Sequence, residues 1–278
     1  MDHHQHLARS ASINPTGAAI DAQELIAQLD RTKIRRAAIL SIAYMSGNPN
    51  RPPIENEYEK VKAENDWTRD QAALYPKRLR AICSVNPLKD YALAEIRRCA
   101  ADEGLRAGLK LHFGNSDVNL ENPTHLAKLA AVFREANQRR MAIIGHIRPN
   151  VDHERPWGAP QARVFLERLL PLAPDITVQV AHMASAGPLD RPSDDALMVL
   201  VKAIAAHDKR VKRLIFDISV DWGTDPDLLA KRVRALGLNR IVYASDSPPE
   251  PTWRKFRTLP FTELEFRKIE RNVAPYMK

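Results

Sequence analysis

Two histidines near the start of the sequence have a spacing that suits metal binding. His4 and His6 are separated by a single glutamine. In a β-strand, residues two apart point to the same face, so both imidazoles would project into one space. Two imidazoles that share a face can serve as ligands of one divalent metal. Taken alone, the pair is equally compatible with surface histidines near a terminus or with the remains of a tag.

Two further histidines and one aspartate stand at the ends of apolar runs. His146 and His182 each end such a run, and Asp246 closely follows another. By itself, each histidine is better explained as a buried structural residue, and Asp246 as a turn residue before Ser247 and Pro248. Together with the N-terminal pair they favour a shared metal site, because histidines at the ends of three buried strands have no common packing purpose.

Lys110 lies inside an otherwise apolar run, although lysine is rarely buried without a partner. Its side chain could hold an anionic substrate, pair with Asp246, or carry a carbamate that bridges two metals. His112 lies two residues further along, on the same face of a strand, and could bind substrate or simply line the mouth of the site. The sequence leaves these alternatives open.

These residues need strands that deliver them to one place, and the sequence contains eight candidates. Most are continuous runs of Val, Ile, Leu and Ala, which is typical of strands buried on both faces of a parallel sheet. Helical patterns with apolar residues three and four apart separate these runs. The predicted strands are 1–7, 36–44, 79–85, 105–112, 141–147, 176–182, 214–220 and 241–245.

Eight repeats of a strand and a helix, with no linker composition between them, predict a single α/β domain over residues 1–278, a (β/α)8 TIM barrel. An open doubly wound sheet is the structural alternative. Connections from helix to strand are short, whereas those from strand to helix are mostly long, as in 45–56, 148–160 and 247–261. In a barrel the long connections lie on the C-terminal face, where active sites form.

The composition excludes several classes of protein. The chain is 44% hydrophobic and 27% charged, which argues against wholesale disorder. Cys83 and Cys99 are too few for a disulfide framework or a cysteine-rich zinc site. No apolar run approaches the roughly 20 residues of a membrane helix. The net charge of +8 is spread along the chain, without a basic run interleaved with aromatic residues, so we expect neither nucleic acid nor a membrane as a partner.

Polar residues follow Met1 directly, so we expect a cytoplasmic protein. Export, with removal of a signal peptide, is the alternative. We expect a small-molecule substrate as the partner, and the sequence leaves a homo-oligomer open.

The full set of residues, in this order, resembles the amidohydrolase superfamily, most closely its amidohydrolase-2 branch of metal-dependent TIM-barrel hydrolases and decarboxylases. The resemblance runs over essentially the whole chain. It implies that His4, His6, His146 and Asp246 ligate one metal, and that His182 contacts the metal-bound water or the substrate.

The cofactor that this resemblance implies is one divalent metal. We expect zinc, with manganese as an alternative. Some relatives hold a second metal with a carboxylated lysine on strand four, so a binuclear site that uses Lys110 is placed second.

The activity expected from the resemblance is hydrolysis of a small, carboxylated amide, ester or lactone. A divalent metal lowers the pKa of bound water from about 15.7 to about 7. Asp246 would take the proton and pass it to the leaving group, while His182 would stabilise the oxyanion. The same site could decarboxylate an aromatic or enoic acid, and a barrel that binds ligands without catalysis is a third hypothesis.

Four residues are expected to bind the substrate: Lys110, His112, Arg148 and Trp222. Cations gathered on one face would favour a carboxylated substrate. Salt bridges between loops explain Arg148 and Arg51 equally well.

Overall fold

The computed structural model describes residues 1–9, 19–150, 153–219 and 223–278. Its eight strands form one sheet in sequence order, and each strand pairs in parallel with the next. The strands are β1 (Asp2–Gln5), β2 (Ala37–Leu40), β3 (Leu79–Ser84), β4 (Gly108–His112), β5 (Ala142–His146), β6 (Val178–Val180), β7 (Leu214–Asp217) and β8 (Ile241–Val242).

Helices lie between the strands and complete the repeats. They are α1 (Ala22–Arg31), α2 (Glu57–Ala73), α3 (Ala92–Ala101), α4 (Pro123–Gln138), α5 (Ala159–Val164), α6 (Arg191–Ala205), α7 (Pro226–Leu236), α8 (Pro249–Phe256) and α9 (Glu263–Arg271). A π-helical turn, Phe165–Leu169, continues α5. No helix in these described parts of the chain is long and apolar enough to cross a membrane.

Backbone hydrogen bonds bring the first strand against the last, so the sheet curves into a nearly closed barrel. The His3 N–H donates to the carbonyl of Tyr243 at 3.0 Å, and the Asp246 N–H donates to the carbonyl of His4 at 2.9 Å. The predicted (β/α)8 barrel is therefore confirmed. All eight predicted strands are present, each lying within its predicted range, and all are shorter than predicted.

The strands are buried on both faces, as their continuous apolar sequences predict. Along β2, Ala37 and Ile39 belong to the layer between the sheet and the helices, whereas Ala38 and Leu40 belong to a second, inner cluster. This alternation follows from the two-residue period of a strand. The inner cluster fills part of the barrel and also takes in Ile82, Ala142, Ile144 and Val242.

The C-terminal segment closes the N-terminal end of the barrel. Tyr276 and Met277 pack against the inner cluster. The Tyr276 hydroxyl donates to Gln179 Oε1 at 2.6 Å, and the Arg80 guanidinium donates to the Tyr276 carbonyl at 2.6 Å. The end of the chain is thus held by one buried and one half-buried polar contact.

The expectation of a loop over 247–261 is wrong, because α8 occupies the middle of this segment. Pro249 lies in the first turn, where its missing N–H costs nothing, and Glu250 pairs with Arg254 one turn later at 2.6 Å. Trp253 and Phe256 pack on the core.

A second feature was not predicted: Cys83 and Cys99 form a disulfide that joins β3 to α3.

His3 joins β1 to the chain that follows β8 and to the C-terminal segment. Its Nδ1–H donates to the carbonyl of Tyr243 at 3.0 Å, and its Nε2 accepts from the N–H of Ala274 at 3.2 Å. Only the neutral ring can make both bonds, because a protonated imidazole has no acceptor. Burial lowers the pKa of His3 to about 4.

Acid should therefore weaken the metal-free protein, partly through His3. Folding lowers the pKa of His3 from the ordinary value of about 6.5 to about 4, so the unfolded chain binds this proton more readily than the folded protein. The contribution of neutral His3 to the free energy of unfolding is therefore fully present above about pH 6.5 and is lost as the pH falls towards 4. This one group contributes a fall of up to about 1.4 kcal/mol per pH unit in the free energy of unfolding. Denaturant titrations at pH 7 and pH 5 should show a smaller difference for His3→Gln than for the unaltered protein.

Exposed His207 provides the matched control. His207→Gln should keep the pH dependence of the unaltered protein. Asp2, whose pKa is raised by burial to about 6, acts in the opposite direction but is present in all three proteins. Equal pH dependence for His3→Gln and the unaltered protein would contradict this assignment.

Candidate metal centre

Three imidazoles converge on one carboxylate at the C-terminal end of the barrel. The Nε2 atoms of His4 and His6 lie 3.4 and 3.3 Å from Asp246 Oδ1, and His182 Nε2 lies 3.4 Å from Oδ2. These side chains come from β1 and from the segments that follow β1, β6 and β8. The structure therefore brings together four residues that the sequence placed in one site.

Each of the three rings uses its other nitrogen to donate a hydrogen bond. His4 Nδ1 faces Asp217 Oδ2 at 3.1 Å, His6 Nδ1 faces the carbonyl of Leu40 at 2.6 Å, and His182 Nδ1 faces the carbonyl of Ser219 at 3.2 Å. These oxygens can only accept, so in each neutral ring the proton sits on Nδ1. All three Nε2 atoms then carry lone pairs, as metal ligation requires.

The distance between His4 and His6 fits a cation. Their Nε2 atoms lie 3.2 Å apart, so two lone pairs face each other at a distance where they repel. Around a tetrahedral metal with bonds of about 2.0–2.1 Å, neighbouring ligand atoms lie about 3.3–3.4 Å apart. The ligand atoms of His4, His6 and Asp246 all lie within 4.8 Å of one another. Two imidazole nitrogens and one carboxylate oxygen form a donor set that zinc and other first-row metals accept.

Asp246 provides the negative charge of this cluster. Burial would raise its pKa, but the neighbouring rings of His4, His6 and His182 hold the pKa well below the usual range. Burial lowers the pKa of His4 to about 4. The site thus combines an ionised carboxylate with a neutral imidazole at neutral pH.

Asp217, which ends β7, is the functional residue that the sequence analysis missed. Its Oδ2 accepts from His4 and from Gln179 Nε2 at 2.8 Å, and its Oδ1 accepts from the His182 N–H at 2.9 Å and from Ser219. Burial would raise its pKa, but these partners hold the pKa below the ordinary value. Asp217 is the last residue of β7. The predicted strand ran on to residue 220, so Asp217 lay in its middle and was not considered as a residue at a strand end.

Lys110 is buried on β4, and its Nζ lies 2.9 Å from His4 Nε2. Burial lowers its pKa to about 8, and the charges of Asp246 and Asp217 partly oppose this shift. Lys110 therefore donates to the same lone pair that a metal would take.

His112 and His146 are paired in register across β4 and β5, and their rings stack at 4.0 Å between centroids. His146 also packs edge-on against His182 at 5.0 Å. Within the described residues, no set of three ligand atoms closer than 4.8 Å includes His146, so its ligand role stays a prediction. His112 Nδ1 accepts from the N–H of Asn115 at 3.1 Å, so neutral His112 carries its proton on Nε2 and offers a donor.

Of the two remaining substrate-binding candidates, Arg148 has its partners outside the cluster. Arg148 donates to Asp190 at 2.9 Å and to Ser193 at 3.1 Å, which is the loop salt bridge that the sequence left open. Its buried Nε has no hydrogen-bond partner within the described structure. Trp222 lies outside the described residues.

The backbone at the site is strained. His182, Met183 and Ala184 follow β6 with φ of 53°, 51° and 67°, and Asp246 has φ of 47°. Residues other than glycine in this left-handed region cost of order 1–3 kcal/mol each, and they persist where surrounding contacts hold them. Here, the hydrogen bond from the His182 N–H to Asp217 and the bond from the Asp246 N–H to His4 provide those contacts.

Comparison with known proteins agrees with this fold. A family model described as amidohydrolase matches residues 1–268. No curated protein sequence matches the chain.

Solved structures with similar folds cover nearly the whole chain. A 5-carboxyvanillate decarboxylase from Sphingomonas paucimobilis is 15% identical, with a TM-score of 0.66 over 99% of this chain and 96% of its own. A dihydroxybenzoic acid decarboxylase from Polaromonas sp. JS666 with bound manganese is 14% identical, with a TM-score of 0.66 over 96% and 93%. A probable 2-pyrone-4,6-dicarboxylic acid hydrolase from Acinetobacter baumannii is 16% identical, with a TM-score of 0.63 over 97% and 95%.

Replacing Asp217 by Asn should weaken metal binding. The amide cannot accept from His4 Nδ1–H and from all its present donors at once, so the His4 tautomer and ring orientation lose their support. Partners of this kind are typically worth about 10–100-fold in metal affinity. Competition with a chelating metal indicator measures the change. Asp208→Asn, which alters an aspartate outside the cluster, should bind metal as the unaltered protein does, and equal affinity in Asp217→Asn would contradict the role given to Asp217.

Proposed function

Because the chain belongs to the amidohydrolase family, whose model matches residues 1–268, we propose that it is a metal-dependent hydrolase of a small, carboxylated amide, ester or lactone. The observation that carries this proposal is the convergence of three imidazole Nε2 atoms on the ionised carboxylate of Asp246.

His4, His6 and Asp246 would hold the metal, because their ligand atoms are close together and their donor types fit. We propose one zinc ion. Manganese is the alternative, since the Polaromonas decarboxylase contains it. When bound, a divalent metal lowers the pKa of water and polarises a carbonyl group.

The two oxygens of Asp246 would have different tasks. Oδ1 faces His4 and His6, while Oδ2 faces His182 Nε2 at 3.4 Å. Oδ2 would take the proton of the attacking water, and later give it to the leaving group. Since His182 keeps its own proton on Nδ1, its Nε2 is an acceptor that can share this proton.

Two residues would orient the substrate. Neutral His112 presents Nε2–H as a donor, and Lys110 brings a buried positive charge next to His4. A buried cation is most stable opposite an anion, so this part of the site favours a negatively charged group on the substrate.

Decarboxylation is the second candidate, and the two decarboxylases among the similar structures favour it. Both enzymes are named for aromatic carboxylic acids. In this reaction the bond between the ring carbon and the carboxylate breaks, carbon dioxide leaves, and a proton taken from solvent and passed on by Asp246 would replace it on the carbon. Water is not consumed.

A substrate screen with two detectors tests these alternatives. Lactones, amides, esters and aromatic acids are incubated with the metal-loaded protein in ¹⁸O-labelled water. Incorporation of ¹⁸O into an organic acid product supports hydrolysis. Release of carbon dioxide, with no ¹⁸O in the organic product, supports decarboxylation. If none of these substrates is turned over and the protein binds no metal, both proposed reactions are contradicted, and a barrel that only binds ligands is favoured.

Asp246→Asn should reduce turnover by a factor of about 10²–10⁴, since it removes the proton acceptor. Circular dichroism and the thermal midpoint should show a retained fold. Metal content is measured in parallel, so that loss of the proton acceptor is distinguished from loss of metal. Asp208→Asn should have the turnover of the unaltered protein. Full turnover in Asp246→Asn would refute the proton-transfer role.

Metal content distinguishes one metal from two. Purified protein should contain one equivalent per chain, and Lys110→Met, which keeps the length of the side chain, should contain the same. A halved content in Lys110→Met would instead support a binuclear site that depends on a carboxylated Lys110. Elemental analysis after removal of loosely bound metal gives the answer.

A further inference from the structure

A cavity of about 540 Å³ lies at the end of the barrel opposite the candidate metal centre. Its lining includes Arg80 at the start of β3, Ala107 just before β4, Ala142 at the start of β5 and Thr177 just before β6. Strands of a parallel barrel all begin at one end, so this cavity belongs to the N-terminal face. Its volume is that of a small-molecule site.

Four arginines line this cavity: Arg80, Arg106, Arg140 and Arg213. Only two acidic residues, Glu103 and Asp175, lie among them. Asp175 already accepts from Asn137 Nδ2 at 3.1 Å, and Arg140 approaches it only to 3.9 Å. The lining therefore has an excess of positive charge that its own carboxylates do not neutralise.

Other arginines at this end of the barrel have structural partners, which sets the cavity apart. Arg78 binds Asp30 and the carbonyl of Arg35, and Arg240 donates to two backbone carbonyls. By contrast, within the part of the chain that the structure describes, the side chains of Arg106 and Arg213 make no ion pair or hydrogen bond. Both are exposed and free to bind an anion.

Apolar residues form part of the cavity lining. Ala142, Ile176, Pro275 and Tyr276 contribute to it, and Ala142, Ile176 and Tyr276 are buried. Arg80 is half-buried and held in place by its bond to the Tyr276 carbonyl. Guanidinium groups beside apolar surface suit a ligand with a carbon skeleton and several charges.

We propose that this cavity binds a small molecule that carries two or more anionic groups. Guanidinium groups bind phosphate and carboxylate alike through paired N–H donors, so the shared chemistry is that of a polyanion. Arg106 and Arg213, which precede β4 and β7, would hold two anionic groups at separate points of the lining. This site is independent of the proposed catalytic activity.

Calorimetric titration with two probes tests the proposal: fructose 1,6-bisphosphate as a bisphosphate, and tricarballylate as a tricarboxylate. The full chain is titrated at low and high salt. The double variant Arg106→Gln/Arg213→Gln removes the two unpaired charges. Arg134→Gln/Arg163→Gln, which alters two exposed arginines outside the cavity, is the control with the same change in net charge.

We expect saturable binding of at least one probe, weakened about tenfold or more by Arg106→Gln/Arg213→Gln and unchanged by the control pair. Binding of one probe alone would identify phosphate or carboxylate as the recognised group. Asp246→Asn should leave the affinity unchanged, which excludes binding at the metal centre. The proposal is overturned if neither probe binds, if both double variants weaken binding equally, or if Asp246→Asn abolishes it.

Discussion

The site depends on one buried carboxylate. Asp217 lies in the middle of the protein without solvent exposure, where an unpaired charge would be costly. Donors from His4, Gln179, the His182 N–H and Ser219 satisfy it. Asp217 in turn keeps the His4 proton on Nδ1 and, by accepting from the His182 N–H, stabilises the strained turn that carries His182. A single buried anion therefore orients two of the three rings around Asp246.

The same carboxylate is connected to the far end of the barrel. Tyr276 donates to Gln179, Gln179 donates to Asp217, and Asp217 accepts from His4, so a continuous chain of hydrogen bonds runs through the barrel interior. Apolar residues such as Leu40 and Ile144 fill the rest of that interior. Because each polar group in this chain has its partner, the interior can contain charge without losing its packing.

The barrel could be predicted from the sequence because strands buried on both faces have continuous apolar runs. The C-terminal ends of such strands meet at one face, so the sequence also predicted that four residues lie together: His4, His6, His182 and Asp246. It did not reveal Asp217, since the end of β7 could not be located within an apolar run. Tautomers, the partner of Arg148 and the ring contacts of His146 depend on side-chain packing across strands, which periodicity does not encode. The helix α8 was missed because the whole of 247–261 was assigned to one long connection from strand to helix.

The most direct test of this account is anomalous diffraction at the zinc and manganese edges from crystals of the metal-loaded protein. We expect one peak per chain, at about 2.0–2.2 Å from His4 Nε2, His6 Nε2 and an oxygen of Asp246. The absence of a peak between these three atoms, or a metal held elsewhere in the chain, would contradict it.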